Sequence, residues 1–188
     1  LVVLAQAKSG EAQTRIVAFR ALRRVNYQLL ELAELFSKDA NPALRREAAV
    51  AMRDVPFEKA KKIILNIASR YDGADRTYLE ALGKACSLKE EVAFKYLSTK
   101  MGQGDSLNWN DQFEGIAWRL HPEVAIGSLK ARALSTKIPL SSRKMATDAI
   151  AFIKIKAAAE AMLAIAQNCP DDLYPTAHHW LKSRMRFQ

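Results

Sequence analysis

One spacing recurs along almost the whole of this chain: apolar or small residues at offsets 0, 3, 4 and 7. That spacing puts four side chains on one stripe of a helix. It is met at Ala18/Ala21/Leu22/Val25, Leu29/Leu32/Ala33/Phe36, Ala48/Ala51/Met52/Val55 and Ala60/Ile63/Ile64/Ile67. It returns at Tyr78/Ala81/Leu82/Ala85, Phe113/Ile116/Ala117/Leu120, Ala146/Ala149/Ile150/Ile153 and Ala158/Ala161/Met162/Ile165. Alternation of period two is nowhere sustained. Seven glycines and six prolines in 188 residues are too few for the many tight turns of an all-β fold. The expectation is all-α.

The breaks between windows predict short helices joined by tight connections. Asn41-Pro42 sets a capping side chain before a proline at the first helical position. Pro56, Pro122, Pro139 and Pro170 stand at window edges, where a missing N–H costs little. Asp72-Gly73 marks a turn, Gly102-Gln103-Gly104-Asp105-Ser106 a flexible connection, and Pro139-Leu140-Ser141-Ser142 a turn with a cap. The opening LVVLAQA reads as the end of a helix, so the chain is expected to be a piece of something longer.

The windows also resemble one another in pairs. Arg15, Arg45 and Arg143 each stand six residues before an alanine followed by a large apolar residue: Ala21-Leu22, Ala51-Met52 and Ala149-Ile150. Ala81-Leu82 repeats the dipeptide with Arg76 displaced by one place, and Ala117-Trp118 is a looser match. Successive alanines lie 30, 30, 36 and 32 residues apart. A period of that size, filled by two helices, is the mark of an α-solenoid.

Asn41-Pro42-Ala43-Leu44-Arg45-Arg46-Glu47-Ala48-Ala49, followed by Ala51-Met52, resembles the first helix of a HEAT repeat. The resemblance implies a right-handed α-α superhelix of about five to six antiparallel helix pairs, one HEAT-like domain over residues 1–188. A narrower likeness rests on the stretch from Tyr71 to Gly83, on Ala117-Trp118-Arg119-Leu120-His121-Pro122 and on His179-Trp180-Leu181. These are similar to the HEAT region of planctomycete-type multidomain proteins that join a dehydrogenase-like propeller to a c-type haem-binding domain. That resemblance implies a spacer between redox or sugar-active modules, in a periplasmic or secreted setting, with the haem-binding segment beyond Gln188.

The formal net charge of +9, from 29 basic and 20 acidic residues, admits an acidic partner. The basic residues are dispersed, however. Arg20-x-x-Arg23-Arg24, Arg45-Arg46, Lys59-x-Lys61-Lys62 and Lys182-x-Arg184-x-Arg186 are the densest runs, and the default for such runs is a solvated helix face. No stretch approaches the roughly 18 to 20 apolar residues that span a bilayer. Cys86 and Cys169 would lie about two helix pairs apart at roughly 8–10 Å per layer, beyond the ~7 Å reach of a disulfide. Two free, mostly buried thiols are expected.

Catalytic constellations are not found. His178 and His179 are adjacent and point about 100° apart on a helix, which suits joint metal ligation poorly. Asp72, Asp75 and Glu80 lack the spacing of a calcium loop, and Gly102-Gln103-Gly104 lacks the lysine and hydroxyl of a phosphate loop. Cys169 with His178 or His179 has nothing to complete a triad. No enzyme activity, cofactor or metal is therefore assigned to this region.

What remains is a surface. Trp109, in the polar stretch Asn108-Trp109-Asn110-Asp111, is a candidate exposed anchor, with a staple on the next helix as the equal alternative. Arg45, Arg46, Lys61 and Lys62 complete the candidate interaction surface. The expected function is a non-catalytic structural and protein-interaction scaffold. The second reading is nucleic-acid binding, by likeness to the HEAT-like alkylpurine DNA glycosylases, and only the net charge favours it.

Overall fold

The computed structural model describes residues 2–185, with side chains to Ser183; Arg184 and Arg186 of the basic tail fall outside the described side chains. Among the described residues there are twelve α-helices and two short 3-10 turns, Ser106–Asn108 and Glu123–Ala125, and no strand. The chain is all-α. It divides into two compact units, one up to Leu97 and one from Ser98 onward.

The first unit contains α1 (Val2–Lys8), α2 (Ala12–Arg24), α3 (Leu29–Ser37), α4 (Pro42–Ala51), α5 (Phe57–Ala68), α6 (Arg76–Ala85) and most of α7 (Glu90–Lys100). Helices α2, α4 and α6 pack side by side as one layer, and α3 packs on α5 in a second. Consecutive helices join the layers, most extensively α3 with α4. The core follows the predicted stripes: Ala60, Ile63, Ile64 and Ile67 of α5 and Tyr78, Ala81, Leu82 and Ala85 of α6 are all buried. The exception is the first window. In α2 the buried residues are Ile16, Ala18 and Phe19, while Ala21 is exposed and Val25 is 73% exposed. Phe19 sets the stripe there: its ring packs 4.7 Å from that of Phe36, and the smaller Ala21 turns outward.

The second unit contains α8 (Asp111–Leu120), α9 (Ile126–Leu134), α10 (Leu140–Phe152), α11 (Lys156–Asn168) and α12 (Tyr174–Met185). The alternation repeats: α8, α10 and α12 share one layer, and α9 and α11 share the other.

Capping follows the local chemistry. Asn41 Oδ1 accepts from the Ala43 N–H at 2.9 Å, with Pro42 at the first helical position. Asp72 Oδ1 accepts from both Ala74 and Asp75 N–H, and Asp75 Oδ1 caps α6 through Tyr78 N–H at 2.9 Å. Those backbone donors hold the Asp72 carboxyl below its usual range. Helix α2 ends with Asn26 in the left-handed conformation. Tyr27 N–H reaches Leu22 O, and Asn26 N–H reaches Arg23 O, the paired bonds of a Schellman motif. Pro139 is an N-cap without a side-chain bond, and Ser141 and Ser142 lie inside α10 instead of capping it.

Three arginines, two at the repeat positions (Arg15, Arg143) and one beside such a position (Arg46, next to Arg45), tie their helix to the turn before the next helix of its own layer. Arg15 meets Asp39 at 2.7 Å, just ahead of α4. Arg46 Nη1 meets Asp75 at 3.2 Å, and Arg143 grips both oxygens of Asp172 at 2.8 and 2.5 Å, each across 29 residues. A planar guanidinium matched to a carboxylate fixes orientation as well as distance. The cysteines are both free; Cys86 is buried and Cys169 half-buried, with desolvation pushing the Cys169 thiol up.

Candidate functional site

The residues singled out from the sequence carry internal work. Arg45, on the first turn of α4, donates through Nη1 to Asp39 O (2.8 Å) and Ala40 O (2.7 Å). Its Nε donates to the Tyr78 hydroxyl at 3.0 Å, and the hydroxyl in turn donates to Ile67 O at 2.9 Å. The guanidinium also lies 5.3 Å from the Tyr78 ring centre. One arginine thus connects the turn before α4, helix α6 and the end of α5. Desolvation raises the Tyr78 phenol, and Arg45 opposes that shift.

Lys61 pairs with Glu58 one turn back at 2.5 Å, and Lys62 is exposed. Glu34 is held below the usual carboxylate range first by its bond to Lys38 and, last among its causes, by the charge of Lys62. Arg45, Arg46, Lys61 and Lys62 each have separate partners and do not converge on one point.

Trp109 belongs to the second unit and is only 8% exposed. Its indole Nε1 donates to Gln103 O at 2.8 Å, and its ring meets Phe113 edge-on at 5.1 Å. The exposed-anchor alternative gives way to packing against the following helix. Gln103 explains why. Its carbonyl accepts from Trp109 Nε1 and Ser98 Oγ, and its side-chain oxygen accepts from Asn110 N–H at 2.9 Å. The stretch expected to be a loose connection is a clamp that folds the indole inward. Beside it sits a buried ion pair. Arg132, 2% exposed, donates to Glu114 and to Ser106 O and lies 5.1 Å from the Trp109 ring centre.

His178 stacks on Tyr174 at 3.7 Å, and His179 meets Trp180 edge-on, so the two imidazoles face different neighbours. Trp180 Nε1 donates to Asp148 at 2.6 Å. His121 takes the left-handed conformation that closes α8, with Nδ1 3.0 Å from Trp118 O. No group of three or more metal-ligating side chains occurs among the described residues.

A cleft in the first unit was not legible from sequence. It is an open depression of about 800 Å³ where the α2–α3 turn meets the α4–α5 turn. Leu29, Leu30 and Val50 give it apolar wall, while Arg23, Arg53 and Lys59 give it positive charge. Two polar atoms of its lining residues are buried without a hydrogen-bond partner: Arg23 Nη1 and Gln28 Oε1. Gln28 is also the N-cap of α3, stands at φ 47° and ψ 36°, and gives no side-chain capping bond. A non-glycine residue in that region costs roughly 1–2 kcal/mol. The left-handed Asn26 two places earlier serves the end of α2, but Gln28 has no such account. Backbone strain and unmet polar atoms thus gather in the turn that walls this cleft.

No helix is long and apolar enough to cross a membrane among the described residues. The fold defines the chain as an all-α protein. No protein-family model, curated protein or solved structure matches it.

Proposed function

We propose that the chain is a HEAT-type α-solenoid segment acting as a non-catalytic, protein-interaction scaffold, a spacer between the modules of a larger polypeptide. The observation that carries this reading is the recurrent arginine tie. Arg15, Arg46 and Arg143 each bridge to the turn before the next same-layer helix, at Asp39, Asp75 and Asp172. Those three guanidinium groups are thereby committed to holding neighbouring helices together. Repeated units joined in that way present a long variable surface to partners. The likeness to planctomycete-type multidomain proteins extends the proposal to a redox or sugar-active assembly outside the cytoplasm.

Nucleic-acid binding is the second reading, favoured by the net charge of +9. Cross-linking of the natural, uncut polypeptide separates the two. Lysine-reactive links from Lys61 and Lys62 to protein outside this segment are expected. Retention of a labelled DNA duplex at low salt, steeply lost as salt is added, with no protein cross-link, would replace the scaffold by the second reading.

A further inference from the structure

We draw no further inference here: the strongest candidate, the aromatic surface patch that Phe152, 46% exposed, forms with Trp118, His121 and Trp180 across the α8, α10 and α12 layer of the second unit, is an apolar face, and nothing in the structure shows what covers it.

Discussion

Replacing Glu114 by leucine tests whether the second unit is organised around a buried charge. The substitution roughly preserves volume but strands the Arg132 guanidinium, whose side chain is 2% exposed while that of Glu114 is 10% exposed. Burial pushes the Arg132 pKa down, and Glu114 is the group that opposes the shift. Arg132 Nε already lacks a partner, so Ser106 O and the Trp109 ring would be left to hold a full charge. Removing one member of such a pair costs about 3–5 kcal/mol. With a urea slope of about 2 kcal/mol per molar, the midpoint should fall by about 1.5–2.5 M. Trp109, Trp118 and Trp180 all lie beyond Ser98, so tryptophan fluorescence reads the second unit while circular dichroism reads the whole chain. Glu114→Leu combined with Arg132→Met removes the stranded charge and should recover most of the loss, to within about 2 kcal/mol of the original, the residue being the Ser106 carbonyl left without its donor. A single substitution costing less than about 1 kcal/mol, or a double variant as unstable as the sum of its parts, would refute the argument.

Three further outcomes are expected. Lys89 Nζ donates to Met52 O, Arg53 O and Val55 O at 2.7, 3.0 and 2.8 Å, capping the end of α4 from 34 or more residues away; Lys89→Met should cost about 1–3 kcal/mol, read as a lower thermal midpoint. Leu88 stands at φ 64° with its side chain 98% exposed; Leu88→Gly should therefore stabilise the chain by about 0.5–1 kcal/mol, the left-handed strain being larger than the added unfolded-state freedom, as measured by urea unfolding. The Asp172 carboxyl is held below its usual range first by its bond to Arg143, and Asp72 by backbone donors. Both folded values lie below the unfolded value of about 3.9, so the stabilisation is complete above that pH and is lost as pH falls through the folded values. Urea midpoints should drop between pH 5 and pH 3, and Asp172→Asn should flatten that drop.

Periodicity read the helices well because burial in paired helices is dominated by one stripe. Every member of the windows at Tyr78, Phe113, Ala146 and Ala158 is buried. It failed where a single large ring overrode it, as Phe19 does at the expense of Ala21. The repeat arginines Arg15, Arg45 and Arg143 were legible as a spacing but their partners were not: Asp39 and Asp172 sit in turns that the pattern skips, and Arg45 bonds two carbonyls and the Tyr78 hydroxyl while its neighbour Arg46 makes the ion pair. For Trp109 the sequence left exposure and packing on the next helix equally open, because its neighbours are polar; the indole turns inward since Gln103, in a glycine-flanked stretch, offers it a carbonyl. Glu114 carried no warning, being one charged residue inside an apolar window. The cleft was least accessible of all. It is made by two turns about 27 residues apart, and nothing in either turn alone distinguishes Gln28 from an ordinary loop glutamine.

The net charge of +9 bears on both functional readings, and the ion pairs decide how far it reaches. Arg15, Arg20, Arg46, Arg132 and Arg143 each meet a carboxylate, and Arg45 is turned onto two backbone carbonyls and a phenol. An arginine already in a charge-assisted pair must give up that pair before it neutralises a phosphate. The formal excess therefore overstates the cationic surface offered to DNA. A protein partner reached through a few placed contacts draws less on that excess. The difference shows in the salt dependence. Contact with a protein partner through a few exposed charges should weaken only modestly as salt is added, whereas a duplex gripped by several basic residues would show a logarithmic slope of about 0.9 for each phosphate neutralised.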